Sequence, residues 1–224
     1  MNVVPIPCLT DNYAYWLPER RVIIDPSEAA AVLDRLDGAS LDAVWCTHHH
    51  WDHVGGVVEL AARFPGLKVY GSGRRPIEGL THHLAEGDEL DGVRIMAVPG
   101  HTLDALAFYD PDGDVFVGDT MFAMGCGRLF EGDAAMMFAS LARLAALPPT
   151  TRVWFGHDYA EKNLAFTRSI VRTDRQALPP PATMGLEVLT NLFLRAADVD
   201  LAATLGTVPG VATFAALRRR RDHF

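Results

Sequence analysis

The heptapeptide Thr47-His48-His49-His50-Trp51-Asp52-His53 follows the apolar run Ala43 to Cys46 directly and leads into Gly55-Gly56. Where a strand gives way to a loop, alternate residues share a face, so His48 and His50 are expected to point one way, while Asp52 and His53 turn toward a neighbouring point. One loop can therefore feed two cations. Neutral imidazole suits Zn, Fe and related divalent ions, and a carboxylate compensates their charge, which makes HxHxDH a metal-binding pattern. The bland alternative, a polar surface loop of stacked histidines, gives no reason for so dense a ligand set. His49 is expected to point away from the cations, and Trp51 to serve packing.

A single loop cannot complete a dinuclear site, so further ligands are expected at the ends of later strands. His101 stands in Pro99-Gly100-His101-Thr102 after the apolar run Val93 to Val98. Asp119 ends the run Val115 to Gly118, and His157 follows Val153 to Phe155 in Gly156-His157-Asp158. Three strand-end donors beside one HxHxDH loop reinforce one another. The run Val22 to Asp25 also ends in an aspartate, a faint echo of Val115 to Asp119.

Around these segments the chain alternates short β-branched or aromatic runs with helix-like stretches, which predicts a mixed α/β architecture. Expected strands are Val3 to Pro7, Tyr13 to Leu17, Val22 to Asp25, Ala43 to Cys46, Lys68 to Tyr70, Val93 to Val98, Ala105 to Tyr109, Val115 to Gly118 and Arg152 to Phe155. Expected helices are Glu28 to Leu36 with Ser27 as N-cap, Gly55 to Arg63, and the run from Asp133 to Leu144. After Gly156 the strands cease, and helices are expected over Glu161 to Thr173, Met184 to Asn191 and Phe214 to Arg221. The organisation reads as residues 1–159 forming a catalytic domain and 160–224 a small helical region that binds substrate.

The composition is that of an ordinary globular protein, 49% apolar and 21% charged, with no apolar stretch near the roughly 18 residues of a membrane span. The amino terminus lacks the basic and apolar regions of a secretory signal, and the odd set Cys8, Cys46 and Cys126 contains no CxxC pair. Both features predict a cytoplasmic protein with reduced thiols and no membrane partner. The formal charge of −8 argues against a nucleic-acid partner, because phosphate neutralisation needs clustered Lys and Arg. Any anionic substrate must then meet local cations. His82, His83 and His223 read as solvated, as does the terminal run Arg218 to Arg221.

The motifs THHHWDHVGG (47–56), PGHT (99–102), GDT (118–120), CGRLFEG (126–132) and FGHDY (155–159) resemble those of the glyoxalase II (hydroxyacylglutathione hydrolase) family of the metallo-β-lactamase superfamily. DNYAYWL (11–17) and EVLTNLFLR (187–195) extend the resemblance to nearly the whole chain. It implies an α/β fold, the αββα metallo-β-lactamase sandwich with a small C-terminal α-helical region. It also implies two divalent metal ions, Zn foremost and Fe or Mn admissible, which share one water and ionise it near neutral pH. By that resemblance His48, His50 and His101 hold one ion, Asp52, His53 and His157 the other, and Asp119 bridges both, so that Asp52 and Asp119 are the carboxylates of the catalytic centre. The implied substrate is a small-molecule glutathione thioester such as S-lactoylglutathione, as in methylglyoxal detoxification, with Arg128, Tyr159 and Arg195 as its contacts. A monomer or small homo-oligomer suffices.

Three departures from the family pattern bear on glutathione: Phe130 in place of a common tyrosine, Leu192 in place of the proline of NPFLR, and Ala196-Ala197 where basic residues often follow. Two rival activities share the ligands: an iron-dependent glutathione-persulfide dioxygenase with a single metal, and a hydrolase of other esters or lactones. A catalytically silent binding module is the reading from another class, and seven intact ligands speak against it.

Overall fold

A computed structural model describes all 224 residues, which divide into two compact units: Met1–Ala97 with Asp104–Gly118, and Val98–Leu103 with Asp119–Phe224. No helix is long and apolar enough to cross a membrane.

The first unit contains ten strands and three helices. Six strands form one sheet in sequence order: β1 (Val4–Cys8), β2 (Asn12–Leu17), β3 (Val22–Ile24), β4 (Ala43–Trp45), β5 (Lys68–Gly71) and β6 (His82–His83). The first three pair antiparallel, and β3, β4, β5 and β6 run parallel. The antiparallel meander β7 (Glu89–Leu90), β8 (Val93–Ala97), β9 (Leu106–Asp110) and β10 (Asp114–Gly118) forms a second layer.

Period-two alternation decides what each face of the first sheet meets. Ala14, Trp16, Ile23 and Val44 face α1 (Ala29–Leu36) and α3 (Val57–Arg63), where Val32, Leu36, Val57 and Leu60 complete a buried core. The intervening residues face the meander: Tyr15 lies 5.4 Å from Phe116 and Trp45 5.2 Å from Phe108, ring centre to ring centre. A helical layer and two β layers result, three of the four layers of the expected αββα sandwich.

The expected helix Gly55 to Arg63 begins two residues later, as α3, and a separate helical turn that was not expected, α2 (Trp51–Val54), precedes Gly55-Gly56. A Cβ on Gly55 would stand 2.6 Å from the Ser27 carbonyl oxygen, and one on Gly56 2.7 Å from the Ala29 nitrogen. The glycine pair thus lets this backbone touch the turn after β3, and Gly56 N donates to the Pro26 carbonyl at 2.8 Å. The histidine loop is thereby seated against Asp25. The N-cap of α1 is Glu28 rather than Ser27, which is buried.

The second unit comprises the hairpin β11 (Met121–Phe122) and β12 (Gly125–Cys126), then α4 (Ala134–Ala145), β13 (Arg152–Phe155), α5 (Ala160–Arg168), β14 (Ala182–Thr183), α6 (Met184–Thr190), α7 (Val199–Leu205) and α8 (Val211–Asp222). Strands do not cease after Gly156, since Ala182 and Thr183 pair with Val153 and Arg152. Helix α5 stops five residues short of the expectation because the Ser169 hydroxyl donates to the Phe166 carbonyl at 2.6 Å, competing with the helical ladder. Helix α7 was not expected, although Asp198 caps its start through the Asp200 and Leu201 amides and Gly206 ends it in the left-handed conformation. Leu192, Phe193, Ala196 and Phe214 are buried together, so two of the departures from the family tail are packing residues.

Glu187 and Asn191, from the segment matching the family tail, are fully buried struts. The Glu187 carboxylate accepts from Met124 N (2.8 Å), Asn191 Nδ2 (3.2 Å) and Arg175 Nη2 (2.6 Å), and Asn191 Nδ2 donates to the Phe122 and Gly125 carbonyls. Burial pushes the Glu187 carboxyl above its ordinary value, opposed chiefly by Arg175. This ties α6 to the β11–β12 hairpin beside Asp119.

Candidate functional site

In the first unit the histidine loop leaves β4 and runs into α2, and its ring orientations are set by one buried carboxylate. Asp25, 2% exposed and at φ 49°, accepts from Thr47 N (2.7 Å), Thr47 Oγ1 (2.6 Å) and His53 Nδ1 (3.0 Å). The Thr47 hydroxyl spends its proton on Asp25, so at 3.0 Å it accepts from His48 Nδ1. Both rings therefore carry their proton on Nδ1 and present Nε2 as a lone pair. Aspartate tolerates the left-handed conformation better than most residues, and strained backbone of this kind gathers at functional sites.

The rings of His48, His50 and His53 cluster, with His48 4.7 Å from His50 and 4.2 Å from His53. Asp52 Oδ2 stands 3.8 Å from His53 Nε2 and accepts from Asn12 Nδ2 at 3.2 Å. His49 Nδ1 lies 2.9 Å from Asp104 Oδ1, and its ring centre stands 4.9 Å from that of His50. Asp25 was the residue that sequence reasoning missed; its only signal was an apolar strand ending in aspartate.

In the second unit Asp119 Oδ2 lies 3.4 Å from His101 Nε2 and 3.4 Å from His157 Nε2, all three side chains being buried. His101 Nδ1 donates to the Arg128 carbonyl at 2.8 Å, and because a carbonyl only accepts, the ring's Nε2 is a lone pair aimed at a carboxylate oxygen. A cation between such atoms relieves their repulsion, and the tautomers fixed in both units leave the nitrogens available for one. The donor sets thus fit divalent metal ions. Glycine is required at position 127, where a Cβ would overlap the Asp119 carbonyl oxygen and reach within 2.9 Å of His101 Nδ1.

The three expected substrate contacts lie in the second unit. Arg128 follows Gly127, is 56% exposed and pairs with Asp222 at 3.3 Å. Tyr159 stacks on His157 with ring centres 4.8 Å apart and planes 10° from parallel, and Lys162 Nζ sits 5.3 Å from its ring. Arg195 pairs with Asp198, the α7 N-cap, at 2.6 Å.

Two expectations need correction. Trp51 is 69% exposed, because α2 is a single turn whose first residue faces solvent, so it does not pack a core. The run Arg218 to Arg221 is not a uniform solvated face. Arg218 is buried, donates to the Cys126 carbonyl at 2.7 Å, pairs with Asp222 at 2.9 Å and lies over Phe193. Arg221 is half-buried and donates to Asn163 Oδ1, while Arg219 and Arg220 are exposed as expected. Cys8, Cys46 and Cys126 are free and buried; burial pushes the Cys46 thiol well up and that of Cys126 up to about 11, so neither is a thiolate at neutral pH.

A family model described as the metallo-beta-lactamase superfamily matches residues 6–83 and 66–157, and one described as the hydroxyacylglutathione hydrolase C-terminus matches 158–224. A hydroxyacylglutathione hydrolase of Serratia proteamaculans (strain 568) is 43% identical, and one of Synechococcus sp. (strain JA-3-3Ab) 42%, each alignment covering 100% of both chains. Among solved structures, TTHA1623 in a di-iron-bound form is 32% identical with a TM-score of 0.68, over 87% of this chain and 100% of that one. ETHE1 from Myxococcus xanthus is 24% identical with a TM-score of 0.71, over 99% and 98%, a likeness of fold.

Proposed function

Because the chain belongs to the hydroxyacylglutathione hydrolase family of the metallo-beta-lactamase superfamily, we propose that it hydrolyses S-(2-hydroxyacyl)glutathione, foremost S-lactoylglutathione, to the hydroxy acid and glutathione. The observation that carries this reading is the donor chemistry: His53, His48 and His101 locked in the Nε2-presenting tautomer by Asp25, Thr47 and the Arg128 carbonyl, and the Asp119 carboxylate 3.4 Å from His101 Nε2 and from His157 Nε2. His48, His50 and His101 would hold one divalent ion, Asp52, His53 and His157 a second, and Asp119 would serve both. Zn is the first choice, and Fe or Mn suit the same donors. What the ions supply when bound is ionisation of a shared water near neutral pH and polarisation of the substrate carbonyl.

The protein's own residues do the rest. Asp52 and Asp119 balance charge, leaving a centre still positive enough to favour a developing oxyanion. A thiolate leaving group, with a thiol pKa of about 8.5, departs without a dedicated general acid, and no such acid is needed among the named residues. Arg128, Tyr159 and Arg195 are the substrate contacts, the arginines pairing with glutathione carboxylates. The charge distribution supports this: the first unit has 8 Lys and Arg against 18 Asp and Glu, net −10, and the second 12 against 10, net +2, together the −8 of the chain. An anionic substrate is repelled less by the unit that carries these contacts.

In this reading residues 1–159 are the catalytic domain and 160–224 the substrate-binding region. The protein works in the cytoplasm on a small molecule, as a monomer or small homo-oligomer, without nucleic-acid or membrane partners. The test is free-thiol release from S-lactoylglutathione by metal-replete protein, run beside oxygen consumption with glutathione persulfide. Thiol release without oxygen uptake is expected; the reverse would replace the reading with that of the persulfide dioxygenase.

A further inference from the structure

Asp104 has no part in the seven-ligand set, yet it is among the most deeply buried carboxylates of the first unit, 1% exposed. Its Oδ1 accepts from His49 Nδ1 at 2.9 Å, and its Oδ2 is buried with no hydrogen-bond partner. Burying a carboxylate with half its accepting capacity unused is costly, so its one bond must do something that a smaller or apolar residue could not. His49 stands between His48 and His50. Its ring centre lies 4.9 Å from that of His50, so a bond that fixes His49 also restrains the short backbone carrying both neighbours. Two residues beyond Asp104, Leu106 N donates to the Thr47 carbonyl at 2.8 Å, so the chain entering β9 grips the loop at both 47 and 49.

We propose that Asp104 and His49 form a positioning pair: the buried carboxylate holds the one histidine of the loop that is not a ligand, and thereby sets the backbone from which His48 and His50 reach the metal. Asp25 acts on the rings of His48 and His53, and Asp104 acts on the backbone between His48 and His50. The two carboxylates approach the loop from different strands, and both lie close enough to Cys46 to raise its thiol. The inference rests on the metal-binding reading above, and its consequence is metal retention rather than chemistry on the substrate. Partners that orient metal ligands are typically worth about 10- to 100-fold in metal affinity or activity.

The test compares Asp104→Leu, which removes the bond without leaving a buried unpaired carboxylate, with Asp104→Asn, which is isosteric and keeps an oxygen to accept from His49 Nδ1. Zn is loaded into the full-length protein, its affinity is measured by chelator competition, and kcat and KM are read on S-lactoylglutathione. Asp104→Leu is expected to weaken Zn binding roughly 10- to 100-fold and to lower kcat with KM within about twofold, while Asp104→Asn stays within about threefold of the parent. Unchanged Zn affinity in Asp104→Leu, or an equal loss in both variants, would overturn the proposal. If Asp104→Leu does not fold, a loss above tenfold in Asp104→Asn does so alone. A parent protein that holds Zn but releases no thiol would sink the proposed function and leave this pair to be judged on Zn affinity.

Discussion

The two units carry their donors in opposite ways. The first places four of them in a single stretch, residues 48 to 53, and holds that stretch with side chains, the buried carboxylates Asp25 and Asp104. The second gathers His101, Asp119 and His157 from segments far apart in sequence, and holds them with backbone, through the Arg128 carbonyl on His101 and the Cβ-free Gly127 against Asp119. A short loop has no distant backbone to fix its rings, so it needs carboxylates sent in from neighbouring strands. Donors that already stand at the ends of separate elements need only close main-chain packing. The first unit should therefore be fragile to loss of acids, and the second to gain of a methyl group.

The largest effect is expected at Asp119, the one carboxylate between two imidazoles. Asp119→Ala should lower kcat on S-lactoylglutathione by about a hundredfold or more and reduce bound metal, read by steady-state kinetics and elemental analysis. Normal metal content and rate would refute the ligand assignment and with it the contrast between the units. Next is Gly127→Ala, where the added Cβ collides with main chain rather than with a flexible tip. It should cost several kcal/mol or force the 119–128 segment apart, seen as a lower Tm together with lost metal. If that variant retained both, backbone packing would not be what holds the second unit's donors.

Asp25→Ala sharpens the other side of the contrast. It strands Thr47 N and frees the His48 and His53 tautomers, so roughly 10- to 100-fold weaker metal binding is expected by chelator competition. A smaller effect belongs to Arg128→Ala, whose pair with Asp222 is largely exposed and contributes little to stability. It should leave Tm and metal content unchanged and raise KM for the glutathione thioester about tenfold, roughly 1.4 kcal/mol, while sparing small neutral esters. Smallest of all, iodoacetamide at neutral pH should neither label Cys46 or Cys126 in the native protein nor change its activity, since burial keeps both as thiols.

The same contrast explains what could be read from the residues alone. HxHxDH is visible because its spacing is local, and the strand-end positions of His101, Asp119 and His157 are visible because each follows an apolar run. The nine long strands emerged at nearly their expected bounds for the same reason. Asp25 and Asp104 were not legible as clamps, since each acts on a loop more than twenty residues away and an isolated aspartate after a strand has many uses. Arg218 looked solvated because a run of four arginines suggests a uniform face, whereas a helix turns about 100° per residue and buries one of them under the Cys126 segment. The glycine pair is legible as a helix start, but the turn Trp51–Val54 before it is not, and only the close approach of the Pro26 turn keeps Gly55-Gly56 out of α3.

The proposed chemistry requires two cations per chain. Elemental analysis of the purified, metal-replete protein by mass spectrometry, paired with the same measurement on Asp119→Ala, addresses that most directly. Close to two equivalents of Zn, Fe or Mn per chain in the parent and a marked loss in the variant are expected. One equivalent or none in the parent, or an undiminished content in the variant, would contradict it.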